Sequence, residues 1–395
     1  MRHLGKSMVY LDHNATSPLR ACAKAVMLAA LEEAGNASSV HKAGRAARAR
    51  IERAREQVAR LAGTAPSSVI LTSGGSEANA LALKGAVSGA LAAEDRITRL
   101  FISAIEHESV RANVATLAET VPGVKLTTIP VTKDGTIDLN ALRMQLMQGK
   151  GRVLVSVMAA NNETGVVQDI ESVARLTKAE GGEGALFHVD AVQAAGRLAL
   201  SFAASGADYM TLSAHKLGGP QGAGALLVKD GAPLAALTAG GGQEMGRRSG
   251  TENVAAIAGF GAAVEEAADF AGTMARVAAL RDRFETELKR IACDAVIFGA
   301  HAQRLANTSN FAVPGLAAET ALIALDLDGI AVSSGAACSS GKVKPSHALA
   351  AMGVDENLAR GGLRVSFGWS SRDEDVDSAI ASLQRLIARR AALAA

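Results

Sequence analysis

The chain has 395 residues, with 41 Lys+Arg against 39 Asp+Glu and three cysteines. A hydrophobic share of 49% with 20% charged residues excludes a disordered chain, and a net charge of +2 gives no reason to expect a polyanionic partner. Cys22, Cys293 and Cys338 are odd in number and far apart, no Lys/Arg run forms a basic patch, and no apolar stretch approaches the roughly 18–20 residues of a membrane span. The expectation is a soluble, cytoplasmic α/β protein that binds neither nucleic acid nor membrane.

In chain order, the first predicted helix has Thr16-Ser17 as its cap, Pro18 in its first turn and Gly35 at its end. The next carries Ile51, Ala54, Val58 and Leu61 at helical spacing and closes at Gly63. Short β-branched runs then read as strands: VILT (69–72), RLFIS (99–103), VKLTTI (124–129), RVLVSVM (152–158), ALFHVD (185–190), DYMTL (208–212) and GALLVK (224–229). Helix-like segments separate most of them, and this alternation argues for a mostly parallel sheet covered on both faces. After about residue 260 the pattern changes. One long Ala/Glu/Arg helix is predicted over about 253–292. Strand-like runs at 295–300, 307–313, 329–334 and 362–368 follow, with a final helix from Asp373. This reads as a smaller α+β domain.

The chemistry-bearing residues cluster at predicted strand ends. Asp190 ends the run LFHVD, and Lys216 closes SAHK after the next strand. Ligands of open α/β sheets bind at that edge. A carboxylate and a lysine there suit pyridoxal phosphate, which needs an amine for a Schiff base and a carboxylate beside its pyridinium nitrogen. The same pair also fits a helix-capping aspartate and a solvated loop lysine. The segment 69–83 runs strand, Gly-rich turn, helix, so the N–H groups of Gly74-Gly75-Ser76 and the Ser76 hydroxyl could hold an anion, with Ser213 and His215 contacting the same phosphate. His107, past the strand 99–103, could stack on a ring or move a proton, or cap a helix. Asn161-Asn162-Glu163 could hydrogen-bond a substrate or form a polar turn. Cys338 lies in a small-residue loop near Lys342 and Lys344, which favour its thiolate; Cys22 and Cys293 read as packing residues. Arg364, alone in a strand pattern, suits a carboxylate or a structural ion pair.

Order and spacing of YLDHNATSP (10–18), GNASSVHKAG (35–44), TSGGSEAN (72–79), EHES (106–109), NNETGVVQDI (161–170), HVDAVQAAG (188–196), SAHKLGGPQGAGAL (213–226), RRSGTENV (247–254), SSGAACSSGKVKPSHAL (333–349) and LRVSFG (363–368) closely resemble the cysteine desulfurases of the class-V aminotransferase superfamily. The long loop after Cys338 is similar to the NifS/IscS branch. The resemblance implies PLP fold type I: a large domain over 17–262 with a mostly parallel seven-stranded sheet, and a small domain formed by 1–16 and 263–395 that carries the cysteine loop. It implies pyridoxal 5′-phosphate as cofactor, with Lys216 as the Schiff-base lysine and proton carrier and Asp190 on the pyridinium nitrogen. Gln193 and Asn162 would bind the ring hydroxyl or substrate. His107 would stack on the ring and assist proton transfer. Gly75, Ser76, Ser213 and His215 would hold the phosphate, and Thr251 would reach the phosphate of a neighbouring subunit in a homodimer. Asn14, Asn162 and Arg364 would bind L-cysteine. Cys338 would be the nucleophile that takes its sulfur as a persulfide, and a transient iron–sulfur ligand where no resident metal is expected. The sulfur would pass to an acceptor such as an iron–sulfur scaffold. The sequence carries Ser76 where many relatives have Thr, and Ser339 after the cysteine where many have Thr. Housekeeping members usually run further past the position of Arg364, in a tail that helps dock the scaffold, which leaves the acceptor open. A selenocysteine lyase or another class-V aminotransferase is the alternative, and Cys338 speaks against an aminotransferase.

Overall fold

Runs of β-branched and apolar residues with little polar interruption are what a strand buried on both faces requires. In the computed structural model, which describes residues 8–334 and 346–394, these runs form one central sheet. In chain order the strands are β1 (Val9–Tyr10), β2 (Val69–Thr72), β3 (Ile97–Ser103), β4 (Lys125–Ile129), β5 (Arg152–Met158), β6 (Leu186–Asp190), β7 (Tyr209–Ser213), β8 (Gly224–Val228), β9 (Val296–Ile297), β10 (Thr308–Ala312), β11 (Ile330–Ala331), β12 (Ser333–Ser334) and β13 (Leu363–Ser366). Seven of them lie in the order β2-β8-β7-β6-β5-β3-β4, and β8 alone runs antiparallel to its neighbours. The expected mostly parallel seven-stranded sheet is therefore present. One apolar cluster packs Val153, Val155, Val157, Phe187 and Phe260 on one face. Another packs Ile70, Leu100, Leu154, Leu186 and Tyr209 on the other.

A separate cluster, including Leu11, Val277, Phe284, Phe311 and Phe367, fills the C-terminal part. It lies on a four-stranded antiparallel sheet, β12-β13-β10-β9, with the β1–β11 parallel pair beside it. Phe284 meets Phe311 and Phe367 with ring centroids 5.5 and 6.1 Å apart, within the range of favourable aromatic pairs.

Three local expectations fail for physical reasons. The first helix is Ala21–Leu31, without a side-chain cap and without reaching Gly35. Thr16 and Ser17 are engaged elsewhere: Thr16 Oγ1 lies 2.6 Å from His215 Nδ1, and Ser17 Oγ donates to the Lys216 carbonyl. The predicted helix 253–292 is two helices, Val254–Ala267 and Phe270–Ile291, broken at Asp269. The first packs with the large-sheet core and the second with the small one. Cys293 is exposed rather than packed, whereas Cys22 is partly buried. No helix among the described residues is long and apolar enough to cross a membrane.

Candidate active site

The C-terminal ends of β2, β3, β5, β6 and β7 face one cavity of about 540 Å³, and the small antiparallel sheet closes it from the other side. Each strand end delivers a group singled out above. Gly75 and Ser76 follow β2, His107 follows β3, Asn162 follows β5, Asp190 ends β6, and Ser213, His215 and Lys216 follow β7. Gln193 and Asn14 join the lining, and β13 adds Arg364.

The turn after β2 is shaped for close approach. Gly74 has φ +153° and ψ 178°, a conformation only glycine adopts readily. A Cβ on Gly75 would stand 2.9 Å from Val192 Cγ2. The helix that starts at Gly75 continues through a π turn (Leu81–Gly85) into Ala86–Ala92. The N–H groups of its first turn have no partner four residues back and are free for an anion.

Asp190 is buried, and both its oxygens are used: Oδ1 accepts from Val192 N–H at 3.0 Å and Oδ2 from Asn79 Nδ2 at 2.8 Å. No Lys, Arg or His pairs with it among the described residues. Behind it on β6, fully buried His188 joins Ser156 Oγ (2.8 Å) and Thr211 Oγ1 (3.0 Å), and burial pushes this imidazole down to about 4, so it stays neutral.

The Lys216 amine donates to the carbonyls of Asn14 (2.6 Å) and Ala15 (2.8 Å). Burial first, then Arg364 and Arg197, hold its pKa down at about 7. His215 is held at about 4 by burial, Lys216 and Arg197. Arg197 itself is wholly buried and donates to Gln193 Oε1, Gln193 O, His13 O and Lys216 O, so four carbonyl oxygens enclose it. That contact fixes Gln193, whose Nε2 donates to Asn14 O at 3.0 Å.

Arg364 NH1 donates to Asn162 O at 2.9 Å, and NH2 to Asp12 Oδ1 at 2.7 Å; its buried Nε has no partner among the described residues. The side chain of Asn14 is committed to Asn162 O, Thr308 Oγ1 and Asn307 Nδ2, so Asn14 meets the amine with its backbone carbonyl. Asn161 builds the turn after β5 by accepting from Glu163 N and Thr164 N, while Asn162 faces the cavity. His107 caps the helix Glu108–Thr120, as its alternative reading had it, and the same side chain lines the cavity. Thr251 is exposed and is not part of this cavity. Cys338 lies outside the described residues.

Asn79, Ser109 and Arg197 are the contributors that the sequence reading missed. Asn79 had a signal, since it lies three and four residues after Ser76 and Gly75, on the same helix face.

The residues fit pyridoxal phosphate on structural grounds. A buried carboxylate with no cationic partner suits a protonated ring nitrogen, and the glycine turn admits a phosphate. An amine of lowered pKa stands beside them, and Asn79, which lines the same cavity, has a buried Oδ1 without a partner among the described residues.

Comparison with known proteins identifies the family. The aminotransferase class-V family model matches residues 9–378. An IscS-like cysteine desulfurase of Mycobacterium tuberculosis is 42% identical, covering 98% of this chain and 99% of the relative. A NifS-like protein of Rickettsia africae superposes with a TM-score of 0.86 at 35% identity, covering 96% of this chain and 99% of the other. SspA, solved in complex with cysteine, superposes with a TM-score of 0.78 at 28% identity, over 92% and 99% of the two chains.

Proposed function

This chain belongs to the aminotransferase class-V family, among its cysteine desulfurases, and on that premise we propose that its cavity takes L-cysteine, with pyridoxal phosphate bound, and passes the sulfur to Cys338. The observation that carries the reading is the convergence of Lys216, Asp190, His107 and Arg364 on one cavity at the sheet's C-terminal edge. When bound, the cofactor supplies an electron sink that acidifies Cα and weakens the Cβ–Sγ bond.

The chain's own residues do the rest. Asp190 would be the counter-charge for a protonated ring nitrogen, its oxygens already aimed by Val192 and Asn79. Lys216 Nζ, with a pKa of about 7, is partly neutral at neutral pH and so can both bond a carbonyl carbon and carry the Cα proton. Arg364, already held by Asp12 and Asn162, lines the cavity as the cation for the substrate carboxylate. The Cys338 thiolate then bonds the substrate sulfur as the Cβ–Sγ bond breaks. Cysteine and one protein thiol become alanine and one persulfide, with no outside oxidant.

A sulfur-accepting protein thiol is the natural next carrier, and an iron–sulfur scaffold is our expectation for it. Thr251, exposed and away from its own cavity, is assigned to the phosphate of a second copy in a homodimer. Support for Cys338 is the motif around it.

The test is a joint assay of alanine and sulfide from L-cysteine and dithiothreitol. Equimolar products from the wild type, abolished in Lys216→Ala, support the reading. A yellow, cofactor-loaded protein that makes neither would move the assignment to another reaction of the class.

A further inference from the structure

A line of hydrogen bonds joins two groups of the cavity that the sequence separates by more than eighty positions. Asn79 Nδ2 donates to Asp190 Oδ2 at 2.8 Å and to Ser109 Oγ at 2.9 Å. Ser109 Oγ in turn lies 2.8 Å from His107 Nδ1. Directions follow from which groups can donate. Asp190 accepts at both oxygens, so the Asn79 atom between it and Ser109 is the NH₂ group, with both hydrogens used. Ser109 Oγ is therefore an acceptor toward Asn79 and keeps one proton to give. His107 Nδ1 accepts the Ser109 backbone N–H at 3.1 Å, so this nitrogen carries a lone pair. The Ser109 hydroxyl proton is directed to the same lone pair. A neutral imidazole whose Nδ1 is an acceptor carries its proton on Nε2. Among the described residues Nε2 has no hydrogen-bond partner, and the ring is exposed along the cavity.

We propose that Ser109, held in place by Asn79, is a positioning residue whose backbone N–H and hydroxyl together fix neutral His107 as its Nε2–H tautomer, the hydroxyl adding to what the backbone alone supplies. The ring then presents a hydrogen-bond donor, not a basic lone pair, to whatever occupies the cavity, and proton removal from the substrate is left to Lys216. The same Asn79 amide aims the Asp190 carboxylate, so one side chain sets both groups. This deepens the proposed desulfurase reading and rests on it for its consequence.

The direct test is a long-range ¹H–¹⁵N correlation spectrum of the ¹⁵N-histidine-labelled holoenzyme at a pH where the ring is neutral. His107 is assigned by its loss in His107→Gln. The expected pattern has protonated Nε2 and unprotonated Nδ1; a protonated Nδ1 in the wild type overturns the proposal. The kinetic test is a double-mutant cycle. Ser109→Ala should lower kcat for alanine formation roughly 3- to 10-fold, the value of one neutral hydrogen bond, with KM little changed. Ser109→Thr, which keeps the hydroxyl, should restore most of it. In a His107→Gln background Ser109→Ala should have no further effect, and an equal loss there would contradict action through His107. A wild type that makes no alanine would defeat the desulfurase reading, while the NMR pattern would still decide this one.

Discussion

Glu163 shows how a single buried group sets a pH dependence outside the reacting centre. It follows Asn162 directly and is almost completely buried, and its Oε2 accepts from the hydroxyl of Ser346. Burial raises its pKa to about 7, against the lowering pull of Ser346 and Arg364. Its folded pKa thus lies above the roughly 4.3 of an unfolded glutamate. The protonated form's contribution is complete below about pH 4.3 and is lost as pH rises through 7, amounting to on the order of 3 kcal/mol. Glu163→Gln keeps an acceptor for Ser346 and cannot ionise. We predict that this variant gains stability relative to the wild type as pH rises from 5 to 8, measured by urea unfolding at each pH. Parallel curves would refute the assignment. Glu106, also pushed well up by burial and by Asp190, contributes equally to both proteins and cancels in the difference. At this scale the sequence located the strand-end groups Asp190, Lys216 and His107, which the fold brings to one cavity. It was silent on Arg197 and Ser109, whose roles come from partners brought together by the fold. It misread Thr16 and Ser17, because their hydroxyls serve the His215–Lys216 turn instead of the helix they precede.

Among the elements, the segment between β8 and the helix Val254–Ala267 depends on one buried pair. Glu244 has φ +48° and Met245 φ +58°, a left-handed stretch that ordinary side chains resist. What holds it is the Glu244 carboxylate, which accepts from Arg55 NH1 (2.6 Å), Arg55 NH2 (2.8 Å) and the backbone N–H of Leu71 (2.8 Å). The pair ties the helix Lys42–Leu61 and β2 to the stretch leading to Thr251. Removing Glu244 leaves the buried Arg55 with only the more exposed Glu52 and the Val69 carbonyl, and leaves the Leu71 N–H unpaired, so Glu244→Ala should destabilise by about 2–3 kcal/mol, read from the denaturant midpoint at constant slope. A loss below about 1 kcal/mol would show that the segment is held by other contacts. Elements were legible in proportion to their burial. VILT and RVLVSVM match β2 and β5 to the residue because both faces are covered and the apolar run is unbroken. The break at Asp269 was not legible, because an Ala/Glu/Arg-rich stretch keeps helical composition across it. The break is set by the two helices packing on different cores.

For the molecule as a whole, the parallel sheet supplies the groups that would grip a cofactor, and the small antiparallel sheet supplies the one that would grip a carboxylate. Arg364 pairs in register with Asn310 on β10 and Ser333 on β12, and it reaches across to Asn162 and Asp12. Its guanidinium therefore stands at the meeting of the two cores, where a small amino acid can touch both. That convergence was hinted at by the order of motifs along the chain, but the contact between Arg364 and the turn after β5 is a product of packing. The proposed end point of the reaction is the sulfur of L-cysteine on Cys338. Its most direct test is mass spectrometry of the holoenzyme after one turnover with L-cysteine and no reductant, with the thiols alkylated before digestion. The expected result is one added sulfur atom on the Cys338 peptide, matched by one alanine released, and none on the Cys22 or Cys293 peptides or in Lys216→Ala. Alanine formation with an unmodified Cys338, or added sulfur on a different cysteine, would contradict it.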